Sequence, residues 1–432
     1  MTPFEMAAAV IVMAAVFTYL NYTLLRLPTA IGATGLTLVA SLLLILVGLA
    51  VPRVEQYAGS VVQQIDLKQA FLNGMLGFML FAGALHIDLR ELAARRWPIA
   101  VLSTVGVLLS TAIVAGLVWG ALHLVGVPVR PIYCLLFGAL IAPTDPIAVM
   151  AILRQAGVPR ELEVTIAGES LFNDGVGVVA FLAILEIAAG EGGGAGHLIG
   201  LFAWETLGGA VFGFLAGWVV YRMLRSVDNY QLEVLLSVAL VAGGYAAANA
   251  MHMSGPIAMV VAGLLIGNYG RAYAMSKTTQ ENLDTFWELI DEVLNATLFV
   301  IIGLEVLALK LTGPYLLIGL SAIPIVLFAR LVSVSVPLAF VARWGAFPPR
   351  TTRILTWGGL RGGISVALAL SIPKQLDGVP VAERDIIIAM TYMVVLFSIL
   401  VQGITLGPLA RWWLRDDVGI TPGGEDGDFK GV

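Results

Sequence analysis

Apolar residues fall along this chain in long blocks, with short polar stretches between them. A helix needs about 20 mostly apolar residues to cross a bilayer. Thirteen blocks meet that requirement, near 4–24, 29–51, 68–88, 97–124, 131–153, 163–189, 198–224, 232–250, 254–270, 285–309, 314–342, 354–376 and 385–414. The loop "MHMSGP" is the weakest division, between the eighth and ninth runs. The first run starts at Phe4, with no basic residue before it and no clear small-residue cleavage site after it, so it reads as a retained helix and not a signal peptide.

Two of these blocks are interrupted. The fifth contains "GALIAPTDPIAVMAIL", in which Pro143 and Pro146 remove backbone donors and break a helix around Thr144 and Asp145. The twelfth reads "ILTWGGLRGGISVALALSIP", with Gly358, Gly359, Gly362 and Gly363 around Arg361. Small residues for close packing would explain the glycines but not the arginine. The two breaks occupy corresponding places if the seventh run only links two six-helix halves, since each is then the fifth helix of its half. With one linking helix, the halves enter the membrane in opposite directions. The pattern therefore predicts an all-α polytopic membrane protein of thirteen transmembrane helices, with two inverted six-helix repeats and two crossing broken helices. The expected divisions are 1–190 for the first repeat, 191–230 for the linking helix, 231–415 for the second repeat, and 416–432 for a short disordered cytoplasmic tail, "DDVGITPGGEDGDFKGV". The glycine-rich "AGEGGGAGH" reads as a flexible loop between the halves.

Composition agrees with a bilayer environment. Of the 432 residues, 59% are hydrophobic and 12% charged, against about 25% charged in soluble domains. The net charge of −5 argues against a nucleic-acid partner. Cys134 is the only cysteine, which excludes an intrachain disulfide and a cysteine metal cluster. His86, His123, His197 and His252 show no metal-ligand spacing and read as loop or interface residues. Loop charge sets the orientation. Sixteen of the 24 Lys and Arg residues lie in odd-numbered loops and the tail, six lie on the opposite side, and Arg330 and Arg361 fall inside runs. The positive-inside rule then places the N-terminus outside and the C-terminus in the cytoplasm.

Five charges sit deep in apolar runs: Asp145, Glu169, Asp174, Arg330 and Arg361. Each costs at least about 2.5–3.5 kcal/mol at mid-bilayer, so they must pair or face a watery cavity. In "GESLFNDGVGVVAF", Ser170 and Asp174 are four apart and share a helix face, as do Glu169 and Asn173, turned about 100° away. We assign Ser170 and Asp174 to the cavity, which leaves Glu169 to pair with an arginine. The alternative for Asp145, a helix cap after a proline turn, leaves Asp174 unexplained. At the breaks, Asp145 can neutralise the positive half-helix ends and Arg361 the negative ones. Two carboxylates, a hydroxyl and an unwound carbonyl near Thr144 form an oxygen site suited to a hard cation, and the carboxylates also bind protons. A site that holds either a cation or a proton, but not both, is the core of an exchanger.

The segments "PTDPIAV", "GESLFNDGVGVV", "FARLVSV", "GGLRGGIS" and "FWELIDEVLNATLFVIIGLE" together resemble the NhaP-like sodium/proton antiporters, prokaryotic relatives of animal sodium/proton exchangers, over nearly the whole chain. The resemblance implies a homodimer and an elevator motion of a core bundle against a dimerisation domain. It implies Asp174 as the central ion-binding carboxylate, with Asp145, Thr144 and Ser170 completing the Na+ site. It pairs Glu169 with Arg330, supported by Asn173, and gives Arg361 the second broken helix. A single Asp after Asn implies electroneutral exchange, one cation for one proton. Some archaeal members carry an acidic residue on the third helix near the ion; here Asn73 is the only deep polar candidate in "AFLNGMLGFMLFAGALHID".

The expected function is exchange of Na+, and also Li+, for H+ across the cytoplasmic membrane of a prokaryote, with no cofactor and no enzymatic activity. Three alternatives use the same residues differently. A potassium/proton antiporter would keep the scaffold. A cation channel would need a continuous pore, and no filter-like repeated loop is visible. An intramembrane aspartyl-type enzyme would use two aspartates as acid and base, but the GxGD motif of that class is missing, and "HMSGP" is a poor match to a rhomboid-like serine site.

Overall fold

The computed structural model describes residues 2–51, 71–190, 195–308, 313–341, 347, 350–376 and 379–415. Among them the regular structure is helical, apart from one short antiparallel pairing of Gln375–Leu376 with Val379–Pro380. The helices are α1 (Pro3–Leu20), α2 (Thr29–Ala50), α3 (Leu76–Leu85), α4 (Arg96–Leu124), α5 (Pro131–Ile141), α6 (Pro146–Ala156), α7 (Arg160–Ala188) and α8 (Ala195–Leu224). They continue with α9 (Tyr230–Ala250), α10 (Gly255–Ala274), α11 (Lys277–Leu304), α12 (Gly313–Val341), α13 (Thr351–Trp357), α14 (Gly363–Ser371) and α15 (Glu383–Leu414). Nine helical spans among the described residues are long and apolar enough to cross a membrane, and α3 and α5 are shorter apolar helices.

Local sequence sets the helix starts. A capping box joins Thr2 and Glu5 ahead of Pro3 at α1. Asn229, Ser254 and Ser276 cap α9, α10 and α11 through their side-chain oxygens. The Ser276 cap explains why α11 begins at Lys277, about two turns before the predicted start at 285. Its first turns, "KTTQENLD", are polar and escape an apolar window. The apolar pattern carries the twelfth run to 376, but α14 ends at Ser371, ahead of Pro373 and the short strand pairing. The third run is described from Phe71, as a π-helical turn Phe71–Met75 followed by α3. Its earlier part, residues 191–194 of the glycine-rich loop and the tail 416–432 lie outside the described residues.

Large apolar side chains remain exposed on the outer faces, among them Leu46 on α2, Leu207 on α8, Leu317 on α12 and Val336 on α12. Surfaces of this kind need lipid and not water as their neighbour. The interior holds one large apolar cluster running from Val10 to Ala410 and a second built on Phe81, Tyr245, Met259 and Trp287. Helix α7 lies at the centre, against α4, α5, α6, α8 and α10, and it also touches α14. This position puts its polar residues beside both interruptions.

Candidate ion site

The fifth run is two half-helices. α5 ends at Ile141 and α6 starts at Pro146. The twelfth is likewise split, with α13 ending at Trp357 and α14 starting at Gly363. Each break frees backbone groups that cannot be left unpaired inside a bilayer. The two breaks satisfy one another. The Asp145 amide donates to the Leu360 carbonyl at 2.8 Å. The Arg361 guanidinium donates to the Pro143 carbonyl at 2.8 Å and also to the Ala142 carbonyl. Helix α15 supplies two further bonds through a π-helical turn, Ser398–Gln402, which turns polar side chains inward. Ser398 accepts from the Arg361 amide at 2.8 Å, and Gln402 donates to the Trp357 carbonyl at 2.9 Å.

Helix α7 adds side chains to this crossing. The Thr144 hydroxyl lies 3.0 Å from the Ser170 hydroxyl. Asn173 holds Thr144 twice, donating to its hydroxyl at 2.8 Å and accepting from its amide at 3.3 Å. Asn173 was expected on the Glu169–Arg330 contact; its recorded bonds are to Thr144 instead. Asn173 and Ser170 are three residues apart, so both reach the same threonine. Glu169 and Arg330 form a two-pronged ion pair, with Nη1 and Nη2 2.5 and 3.0 Å from the two carboxylate oxygens. Both are buried, at 1% and 7% exposure. Arg330 also donates from Nε to the Leu355 carbonyl at 3.3 Å, which ties the pair to α13.

A cavity of about 70 Å³ opens beside the crossing, lined by Thr144, Asp145, Asp174, Gly362, Gly363 and Ser365, with Leu76, Met79, Leu80 and Leu298 among its apolar walls. A single water needs about 10–15 Å³ of such space, so a small cation with a few waters fits. Asp174 is 4% exposed, and its Oδ1 has no hydrogen-bond partner. A buried carboxylate oxygen left this way costs free energy until a proton or cation joins it. Gly362 is required here because a Cβ would stand 2.6 Å from Asp145 Oδ2. The carboxylate therefore rests on the first turn of α14, where helix N–H groups favour negative charge.

The structure thus brings Thr144, Asp145, Ser170, Asn173, Asp174 and Arg361 together, with Glu169 and Arg330 in the adjoining layer. Asn73 lies on the π-helical turn Phe71–Met75, and its side chain falls outside the described residues. One hydroxyl was missed. Ser365 of α14 is 1% exposed, lines the cavity and has no partner for Oγ. Its place two residues beyond the paired glycines of "RGGIS" was the available signal.

Comparison with known proteins places these features in context. The family described as sodium/hydrogen exchanger, transmembrane, matches residues 11–412. The chain is 48% identical over 413 residues to the Na(+)/H(+) antiporter NhaP of Pseudomonas aeruginosa, covering 94% of this chain and 96% of that one. It is 34% identical to the Na(+)/H(+) antiporter NhaH of Halobacillus dabanensis, covering 86% of this chain and 91% of that one. Its fold is similar to that of the sodium proton antiporter MjNhaP1 from Methanocaldococcus jannaschii, with a TM-score of 0.67 at 22% identity over 89% of this chain and 98% of that one.

Proposed function

Because the chain belongs to the transmembrane sodium/hydrogen exchanger family, we propose that it exchanges Na+, and also Li+, for H+ across the cytoplasmic membrane of a prokaryote. It is a multi-pass integral membrane protein of a transporter family whose substrates are monovalent cations and protons. In our reading the N-terminus lies outside, the C-terminus lies in the cytoplasm, and the protein works as a homodimer. The two six-helix halves, 1–190 and 231–415, are joined by the linking segment 191–230. The broken helices and α7 move together as an elevator that exposes the site to one side and then the other.

The observation that carries this reading is the unpartnered buried oxygen of Asp174, a residue that lines a cavity together with Asp145. Asp174 takes the cation or the proton. Asp145, Thr144 and Ser170 complete an oxygen shell, which suits a hard cation. Asn173 positions Thr144, while Arg361 holds the carbonyl ends of the first break. Glu169 and Arg330 act as a structural pair. Occupancy by one ion excludes the other, so the cation gradient and the proton gradient are coupled.

The test is reconstitution into proteoliposomes with an internal pH dye and a series of Na+, Li+ and K+ gradients. Na+ and Li+ are expected to drive proton counterflow, and Asp174→Asn, nearly the same shape but unable to bind a proton, is expected to abolish it. Wild-type proton flux in the purified variant would remove Asp174 from the mechanism. A response to K+ alone would overturn the assignment of Na+.

A further inference from the structure

Helix α11 carries polar residues that the exchange site does not use. Asp291 and Asn295 are four residues apart and share one face. Asn295 is 5% exposed. Its Nδ2 donates to the Asp291 backbone carbonyl at 2.8 Å, which directs Oδ1 away from that bond. The Asn295 Oδ1 and the Asp291 Oδ1 are both buried, and neither has a hydrogen-bond partner. Two buried acceptors without a donor are costly, and a cation relieves both.

Asp291 and Asn295 line a second cavity, of about 450 Å³, whose polar wall also includes Glu288, Glu292, Arg26 and His86. His86 has Nδ1 on the Ala82 carbonyl at 2.8 Å, and its Nε2 lies 3.9 Å from Asp284 and 4.0 Å from Glu288 of the same wall. Gly83 lies in the wall of this cavity and also of the cavity at Asp174, so the two spaces adjoin there. A Cβ at Gly83 would meet only Leu171 Cδ1, at 4.0 Å, which keeps that wall thin. Asp291 is close enough to Asp145 for their charges to interact. A cation held at Asp291 is therefore separated from the exchange site by the wall at Gly83, and the acidic wall concentrates cations around it.

We propose that Asp291 and Asn295 form a staging site for the monovalent cation, through which it reaches or leaves Asp145 and Asp174 from the vestibule bordered by Arg26 and His86. The inference rests on the exchange reading above and gives that exchange a second binding position on one side only. On the proposed orientation that side is the cytoplasm.

Everted vesicles from an antiporter-deficient host present the cytoplasmic face to added Na+, and right-side-out vesicles present the other face. Asp291→Asn is expected to raise the apparent KM for Na+ about fivefold in everted vesicles, the order of one charge interaction in a partly watery site. In right-side-out vesicles the KM is expected to stay within twofold of wild type. Asn295→Asp, which adds a charge without adding bulk, is expected to lower the KM in everted vesicles. The proposal is overturned if KM stays within twofold of wild type for Asp291→Asn, or for Asn295→Asp where Asp291→Asn does not reach the membrane. A change confined to the opposite face overturns it equally. Failure of the wild type to exchange Na+ at all would instead count against the exchange reading.

Discussion

Removing Glu169 should destabilise the protein more than removing any hydroxyl beside it. The perturbation is Glu169→Gln, with Ser170→Ala as the neighbouring control. In the native protein, Arg330 gives two bonds to the Glu169 carboxylate, at 2.5 and 3.0 Å, and a third to the Leu355 carbonyl at 3.3 Å. Hydrogen bonds to charged groups contribute about 1.5–3 kcal/mol each, and breaking a buried pair costs about 3–5 kcal/mol because the remaining charge is stranded. Gln keeps one acceptor oxygen, sets an NH2 donor against the other Arg330 N–H and removes the charge, while the Leu355 contact survives, so about 3 kcal/mol is expected. Ser170→Ala removes one neutral hydroxyl contact, worth about 1 kcal/mol. The assay is thermal unfolding of the detergent-purified protein, which compares variants side by side. A double variant, Glu169→Leu with Arg330→Met, removes both charges and should lose less stability than the two single variants added together. If Glu169→Gln melts within a degree of wild type, or if the double variant loses the full sum, the pair is not what holds α7 to α12 and α13.

Gly362→Ala should damage exchange far more than folding. Its new Cβ would sit 2.6 Å from Asp145 Oδ2 and 2.9 Å from Asp145 Cβ, so the crossing must widen; a drop of at least about tenfold in transport is expected, since a misplacement of 1 Å can cost about 10²-fold, and normal flux would show that the crossing is pliable. The apparent KM for Na+ should rise as pH falls, by up to about tenfold per unit once protons fill the carboxylates. At high pH the site is open to the cation but protons for the return become scarce, which predicts a bell-shaped rate; a KM constant across two pH units would contradict a shared site.

Much of this site could be read from charge placed in apolar sequence. Asp145, Glu169, Asp174, Arg330 and Arg361 stood out because each is costly at mid-membrane, and the structure gathers them around two interrupted helices. The breaks themselves were visible as Pro143 with Pro146 and as two glycine pairs. What the sequence could not supply was the identity of neighbours. Helical periodicity set Asn173 with Glu169, away from Ser170, yet a residue three along from Ser170 reaches the same threonine, so its bonds to Thr144 were missed. Ser365 was hidden because a serine carries little information in a membrane helix, where it commonly bonds its own backbone. Asp291 and Asn295 were masked in another way. The first half of α11 is amphipathic, and a carboxylate near its polar end looks solvated until the fold turns that face toward a cavity beside Asp145.

The charges at the crossing also bear on stoichiometry. Glu169 and Arg330 cancel. Arg361 is set against the carbonyl end of α5 through Ala142 and Pro143 and lies four residues beyond the carbonyl end of α13, each end worth about half a negative charge. Asp145 lies at the N-terminal ends of α6 and α14, each worth about half a positive charge. To a first approximation these groups balance without any ion. Asp174, with a buried oxygen lacking a partner, is the remaining demand, and one positive charge satisfies it. Whether that charge is Na+ or H+, the loaded site carries the same net charge. Exchange of one cation for one proton should then move no net charge. Its rate in proteoliposomes should change little when a potassium gradient with valinomycin imposes a membrane potential. The energy available to a net charge is about 2.3 kcal/mol per 100 mV, enough for a large change in rate if even half of it acted on the rate-limiting step. A strong response to potential would mean that Asp145 gains or loses its own proton during the cycle, and the balance drawn at the half-helix ends would fail at that residue.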